Sequence, residues 1–222
     1  NPEVAPEDLL FNQGMMIEKM PSDTRKHLEP RLREIKVVLI RNMISDQLRY
    51  INIAREWFSI SDLAEIRRHK IGQGRIGGKA AGMLLAARIL QDCPREDVRN
   101  NLRTPVSYFL GSDFYYTFIS VNNLHHWNDQ KYKLEEEMRQ DFPKILADYD
   151  QCEFPPSIVQ RLETLLTTVG QKPLIVRSSS LLEDNFGTAF AGKYESIFLP
   201  NQDDIDQNLT ALMRAISRVY AS

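Results

Sequence analysis

The chain has 222 residues, of which 42% are hydrophobic and 26% are charged, a balance typical of a globular protein that can bury at least one good core. Its formal net charge is −2, so the surface as a whole has no positive field to hold nucleic acid or an anionic membrane, and we expect neither as a partner. Any binding site for an anion must therefore be built locally.

The cysteine content and the lengths of the apolar runs bear on where in the cell the protein is expected. Cys93 and Cys152 lie far apart and outside any CxxC spacing, which suggests neither a disulfide framework nor a zinc site and favours a reducing cytoplasm. No apolar run approaches the roughly 20 residues that a membrane span needs. The chain begins at Asn1 rather than at Met, from which we expect a trimmed protein.

The first third of the chain is predicted to be helical. Apolar residues recur at helical spacing over residues 22–58, with charged residues between them, which indicates one long helix or two in series. Ser59, with Asp62 three residues later, has the form of a capping box, so a short helix is expected over about residues 61–68. We therefore predict a helical N-terminal region over residues 1–70.

Helices and short strands are predicted to alternate in the rest of the chain. A glycine-dense stretch at residues 71–79 leads into a helix over residues 80–90. Short apolar runs bounded by glycine, proline or serine predict strands at residues 105–110, 174–177 and 194–199. Further helices are expected over residues 132–149, 157–169 and 203–220. The fold class predicted from this pattern is α+β.

The glycine-dense stretch has the composition of a phosphate-binding loop. Backbone N–H groups can aim at a phosphate only on a tight chain path, which requires glycines, and a helix N-terminus adds a favourable dipole. Gly72, Gly74, Gly77 and Gly78 supply such a path. Lys79 then lies in the first helical turn, where its ammonium can reach a phosphate oxygen. The alternative is a flexible glycine linker before a helix, with the lysine solvated.

Two better-known nucleotide motifs fit this stretch poorly. Gly72, Gly74 and Gly77 satisfy GxGxxG, but a dinucleotide fingerprint follows a strand, whereas residues 64–70 are charged and have a helical pattern. A Walker loop requires a serine or threonine after its lysine to hold magnesium, and here alanine follows the lysine. The Walker motif is therefore absent.

A second cationic position follows a predicted strand. Arg177 comes directly after three apolar residues, where a guanidinium is costly to bury unless an anion meets it, and its planar fork suits phosphate oxygens. Ser178 and the two serines after it offer hydroxyls and turn-forming backbone. A small-residue loop able to close over a ligand follows, with the residues Gly187, Thr188 and Gly192. The alternative is an edge-strand arginine paired with Glu183 or Asp184.

These two segments resemble the nucleotide-binding domain at the start of pyruvate phosphate dikinases, phosphoenolpyruvate synthases and the related rifampin and glucan dikinases. The similarity is carried by Val-Arg-Ser-Ser from Val176, by Glu183-Asp184, by Phe-Ala-Gly-Lys-Tyr-Glu from Phe190, and by Gly-Gly-Lys from Gly77 before a small-residue helix. The motifs occur in the family's order and together cover roughly residues 71–222.

The resemblance implies the first part of an ATP-grasp-like nucleotide-binding domain over residues 71–222. Lys79 and Arg177 would be its catalytic, phosphate-binding residues, with Gly77, Gly78 and Ser178 beside them. The loop holding Gly187, Thr188 and Gly192 would cover the nucleotide. ATP would phosphorylate a carrier histidine on a downstream domain, for transfer to pyruvate or a related acceptor on a further domain.

The resemblance also implies what lies elsewhere. Such transfer depends on positioning and charge neutralisation, so Mg²⁺ is expected with ATP, its ligands coming from outside this chain. We therefore expect an incomplete ATP site that is inactive alone. The histidines lack the glycine-rich context of the family's phosphorylated histidine, so that role is given to none of His27, His69, His125 and His126.

Alternatives stay open at this point. The family's Pro-Gly-Phe element is replaced by Thr-Pro-Val-Ser-Tyr-Phe at residues 104–109, so the resemblance leaves the details of the pocket beside the nucleotide open. The helices before residue 71 are either a docking or dimerisation element, which would give a homodimer, or an added packing layer. Instead of phosphotransfer, the chain could form a regulatory ATP- or AMP-sensing module or a helical interaction scaffold.

Overall fold

The computed structural model describes residues 5–180 and 194–222. These residues divide into two compact units, one of residues 5–112 with residues 179–180, the other of residues 113–178 with residues 194–222. Long helices and a few short strands build both units, which confirms the α+β prediction. The domain boundary predicted at residue 70 is based on the family resemblance, not on the division into compact units, and it stays a prediction.

Four helices open the first unit and share one core. Helix α1 spans Glu7–Glu18, α2 spans Ser22–Met43, α3 spans Leu48–Trp57 and α4 spans Ile60–His69. Residues 22–58 thus form two helices in series, which was one of the two arrangements predicted for this stretch. The centre of this core is completely buried and contains Ile35, Leu39, Ile40, Met43, Ala54, Ile60 and Leu63. Each large apolar side chain removed from water in this way contributes about 1.5–3 kcal/mol.

Helix α1 was not predicted from the sequence. Its N-cap is Pro6, which makes no side-chain cap hydrogen bond, so the usual start signal is missing. Packing positions it instead: Gly14 lies so near α4 that a Cβ atom there would be 2.7 Å from Cδ1 of Ile60. The carboxylate of Glu18 accepts the backbone N–H of Ile60 at 3.0 Å and lies 3.5 Å from the ammonium of Lys36, joining α1, α4 and α2.

The capping box predicted at the start of α4 is confirmed. The Ser59 hydroxyl accepts the backbone N–H of Asp62 at 3.0 Å, and the Asp62 carboxylate accepts the backbone N–H of Ser59 at 2.8 Å. A cap of this kind contributes about 1 kcal/mol to helix stability. The same carboxylate accepts from the Arg88 guanidinium at 3.0 Å, so the start of α4 is also tied to a later helix of this unit.

A strand–helix–strand crossover completes the first unit. Strand β1, Lys70–Ile71, precedes the glycine stretch; α5, Gly78–Gln91, and α6, Glu96–Asn101, follow it; and β2, Phe109–Leu110, pairs parallel to β1. The strand predicted at residues 105–110 is thus shortened to two residues. Strand β1 was missed because two residues are too few to show a strand period, whereas the helical pattern before it continues to His69.

The second unit is built around its last helix. Helix α7, Ser112–Val121, leads into a 3₁₀ helix, Leu124–Tyr132, then α8, Glu135–Asp150, and α9, Pro156–Val169. Helix α10, Ile205–Ala221, packs on α8, on α9 and on the two strands that precede it in the chain. Buried apolar residues from these helices form the core, among them Phe118, Ile145, Tyr149, Leu162, Leu166, Leu212 and Ile216.

An antiparallel hairpin carries the second cationic position. Strand β3, Leu174–Arg177, pairs with β4, Ser196–Leu199, from Leu174 opposite Leu199 to Arg177 opposite Ser196. Strand β3 has the predicted bounds and β4 begins two residues later than predicted. Asn201, buried and with a positive φ of 56°, donates its side-chain amide to the carbonyls of Gly170 and Lys172, closing the base of the hairpin. Within the described ranges, no helix is both long and apolar enough to cross a membrane.

Candidate functional site

The turn that begins α5 is the best-defined part of the candidate site. Gly77 is its N-cap, is buried and has φ +83°, a conformation that only glycine adopts without strain. A Cβ atom at this position would lie 1.5 Å from the carbonyl oxygen of Ser179 and 2.9 Å from its hydroxyl oxygen. Glycine is therefore required at 77 by the close approach of Ser179.

Residues 179–180 occupy the amide donors at the start of this helix. The first turn of a helix presents N–H groups without intrahelical partners, and a side-chain oxygen at the N-cap commonly accepts one of them. Gly77 has no side chain for this purpose. Instead the Ser179 hydroxyl accepts the N–H of Ala80 at 2.9 Å, and the Ser180 carbonyl accepts the N–H of Gly78 at 3.1 Å.

These contacts change how the glycine turn can meet a phosphate. The sequence predicts a cradle of backbone amides, but the amides of Gly78 and Ala80 are already donated to residues 179–180. The predicted cradle therefore lacks these two donors, and the role of Lys79 as a phosphate ligand stays a prediction. Lys79 is half-buried on the second residue of α5.

Helix α3 fixes the same turn from the other direction. The hydroxyl of Tyr50 donates to the carbonyl of Ala81 at 3.0 Å, and burial raises the pKa of this phenol well above its ordinary value. The hydroxyl therefore stays protonated and able to donate at any physiological pH. Sequence reasoning missed Tyr50, Ser179 and Ser180 as supports of the turn. The serine run after Arg177 was visible, but its pairing with a turn 99 residues earlier is not a local pattern.

The earlier part of the glycine stretch is hydrogen-bonded to its surroundings. The ammonium of Lys70 donates to the Gly74 carbonyl at 2.8 Å, and the Arg75 guanidinium donates to the Arg41 carbonyl and to Asp46, each at 2.8 Å. The interpretation of this stretch as a flexible linker is therefore not supported by the contacts. A surface cavity of about 500 Å³ lies here, lined by Glu7, Asn42, Gln73, Gly74, Arg75 and Ser112.

Arg177 has a different environment. It ends β3 on the outer side of the hairpin, and it is exposed. The argument that a buried guanidinium needs an anion therefore does not apply to Arg177. Because the side chain is exposed, its guanidinium is accessible to a ligand. Ser178, also in the second unit, is half-buried.

The covering loop lies outside the described residues. Gly187, Thr188 and Gly192, and the proposed acidic partners Glu183 and Asp184, all belong to residues 181–193. The loop and its role stay predictions. The structure brings Gly77, Gly78 and Lys79 together with residues 179–180 in the first unit, whereas Arg177 and Ser178 belong to the second.

A second polar cluster, in the second unit, lacks the geometry of a catalytic site. A cavity of about 230 Å³ is lined by Asn122, Leu124, His126, Asp148, Gln151 and Cys152. Burial raises the pKa of the Cys152 thiol to about 11, so it is protonated at neutral pH and a poor nucleophile. His126 is exposed on the 3₁₀ helix, and its Nε2 atom lies 3.7 Å from the Asp148 carboxylate. This arrangement does not form a nucleophile–base pair.

Comparison with known proteins gives one match. A protein-family model described as the AMP/ATP-binding domain of pyruvate phosphate dikinase matches residues 73–222. This range includes α5 with its N-terminal turn, Ser178 to Ser180, and Arg177. No curated protein and no solved structure matches the chain.

Proposed function

This chain belongs to the pyruvate phosphate dikinase family of AMP/ATP-binding domains, and we propose that it is the ATP-binding portion of a phosphotransferase. The protein would use ATP to phosphorylate a carrier histidine on a downstream domain, which would pass the phosphoryl group to pyruvate or a related acceptor. Family membership supports nucleotide binding and a kinase-type protein; the acceptor and the carrier histidine are part of the proposal.

One observation carries the assignment of the site residues. The turn before Lys79 is hydrogen-bonded to Ser179 and Ser180, and Arg177 precedes Ser179 by only two residues. Two peptide units span about 7 Å at most between Cα atoms, so chain connectivity alone keeps Arg177 near this turn. The segment that contains Arg177 is thus continuous with the segment that holds this turn, and the joint action of the two cations on one set of phosphates is part of our proposal.

The two cations have complementary chemistry toward a polyphosphate. The ammonium of Lys79 is a compact point charge beside a helix N-terminus, and the guanidinium of Arg177 can contact two phosphate oxygens at once. In phosphoryl transfer, the protein contributes chiefly by holding the phosphates in place and neutralising the charge that develops on them. We assign Lys79 and Arg177 this catalytic role, with Gly77, Gly78 and Ser178 shaping the site and the loop of Gly187, Thr188 and Gly192 covering it.

Magnesium is the further cofactor that the family implies. It prefers carboxylate and water oxygens in octahedral geometry. Among residues 5–180 and 194–222, no group of three or more His, Cys, Asp and Glu side chains could hold a metal ion. We keep the proposal that the ligands of Mg²⁺ come from outside this chain, and no step of the proposal runs through the metal.

Phosphoryl transfer in the full-length protein tests this function. With ATP labelled at its γ-phosphate, we expect acid-labile label on a histidine of the natural protein, and loss of that label by more than about tenfold in Lys79→Ala and in Arg177→Ala. Arg161→Ala is a matched control, since Arg161 is an exposed arginine on α9 of the same unit as Arg177.

Three outcomes separate the alternatives. Full labelling in both variants would contradict the assigned roles of the two cations. Tight binding of ATP or AMP with no label in the natural protein would support a sensing module instead. If neither nucleotide raises the melting temperature at concentrations far above any plausible Kd, an interaction scaffold becomes the better account.

A further inference from the structure

The cap of α5 comes from a residue that is remote in sequence. Gly77 cannot cap the helix itself, and the hydroxyl of Ser179 accepts the N–H of Ala80 in its place at 2.9 Å. The Ser179 carbonyl fills the space that a Cβ atom at 77 would need. The glycine and the serine are therefore complementary parts of one contact.

We propose that Ser179 is a positioning residue for nucleotide phosphates, acting through the hydrogen bond between its hydroxyl and the Ala80 amide. The inference rests on the proposed function and adds to it a residue that fixes the turn before Lys79. Ser179 itself is not assigned a contact with the nucleotide.

The position of this hydrogen bond supports the role. Its donor, the Ala80 amide, belongs to the peptide group that directly follows Lys79, and its acceptor lies two residues after Arg177. The bond thus holds the backbone from which the Lys79 side chain projects. Fixing this segment in advance lowers the ordering cost of binding.

If Ser179 has a positioning role, its loss should affect only ligands that carry phosphate. If Ser179 serves only general stability, its loss weakens the binding of every ligand alike. If it positions Lys79, its loss weakens ATP binding and leaves the binding of adenosine, which has no phosphate, unchanged. The ratio of the two affinities separates these roles.

Calorimetric titration of the full-length protein with ATP and with adenosine provides the measurement. Removing a helix cap changes an equilibrium by about tenfold, so we expect Ser179→Ala to weaken ATP binding about tenfold with adenosine binding unchanged. Ser179→Thr keeps the hydroxyl and should recover wild-type ATP affinity within about twofold. If Ser179→Ala does not fold, Ser179→Cys keeps the side-chain size with a much weaker acceptor and takes its place.

A control variant accompanies it. Ser59→Ala removes a cap of the same kind, at 3.0 Å from the Asp62 amide, in the same unit, and should leave ATP affinity unchanged.

The inference is overturned if Ser179→Ala binds ATP like the natural protein, if adenosine binding falls equally, or if Ser59→Ala weakens ATP binding as much. Failure of the proposed function looks different: the natural protein then binds no ATP, and this inference falls with it.

Discussion

At the start of α5, Gly77 is buried and the neighbouring amides of Gly78 and Ala80 are donated to a distant serine segment, whereas Arg177 ends β3 exposed to solvent. The first region is fixed by contacts within the protein, and the second leaves a guanidinium accessible. Substitutions in the first should therefore alter folding stability, whereas removal of the Arg177 side chain should alter ligand binding and little else.

The largest expected effect is at Gly77. In Gly77→Ala the added Cβ atom would lie 1.5 Å from the backbone oxygen of Ser179, which cannot rotate away, and φ is +83°. We expect a loss of about 4 kcal/mol or more in the free energy of unfolding, measured by denaturant titration. Gly82→Ala is the matched control in the same helix, because a Cβ atom there would meet nothing within 4 Å and alanine favours a helix by about 0.5–1 kcal/mol. Equal stability of the two variants would contradict the close approach of Ser179.

A smaller loss of stability is expected from substitutions of Asn201. These variants test whether the side chain of Asn201 stabilises the base of the hairpin that carries Arg177. Asn201→Ala removes two hydrogen bonds, to the carbonyls of Gly170 and Lys172, and should cost about 2 kcal/mol of unfolding free energy. Asn201→Gly loses the same bonds but suits φ +56°, so it should cost less than the alanine variant. Denaturant titration of both variants checks this order; a larger loss for glycine would contradict the expected relief of strain at the positive φ.

The sequence predicted most of the helices and strand β3 well, for a physical reason. Helical periodicity and caps are local, so the helical stretch at residues 22–58 and the capping box of Ser59 and Asp62 could be located from a few neighbouring residues. Strand β3 was likewise bounded by its own flanking residues.

What the sequence did not predict depends on residues far apart in the chain. The local pattern indicates that Gly77 lies in a turn. It does not indicate that Ser179 occupies the space that a Cβ atom at 77 would need, because that contact spans about a hundred residues. Helix α1 lacks a capping signal, and strand β1 has two residues, too few for a strand period to show. Tertiary packing, not propensity, determines these elements.

The measurement closest to the central claim is the affinity of the full-length protein for ATP when each cation is removed. We expect Lys79→Ala and Arg177→Ala each to weaken ATP binding by about tenfold or more in calorimetric titration, since each removes a charge-assisted contact with phosphate. Because Arg177 is exposed, its variant should unfold within about 0.5 kcal/mol of the natural protein, and Arg161→Ala should change neither quantity. Unchanged ATP affinity in both Lys79→Ala and Arg177→Ala would contradict the claim that these two residues hold the nucleotide phosphates.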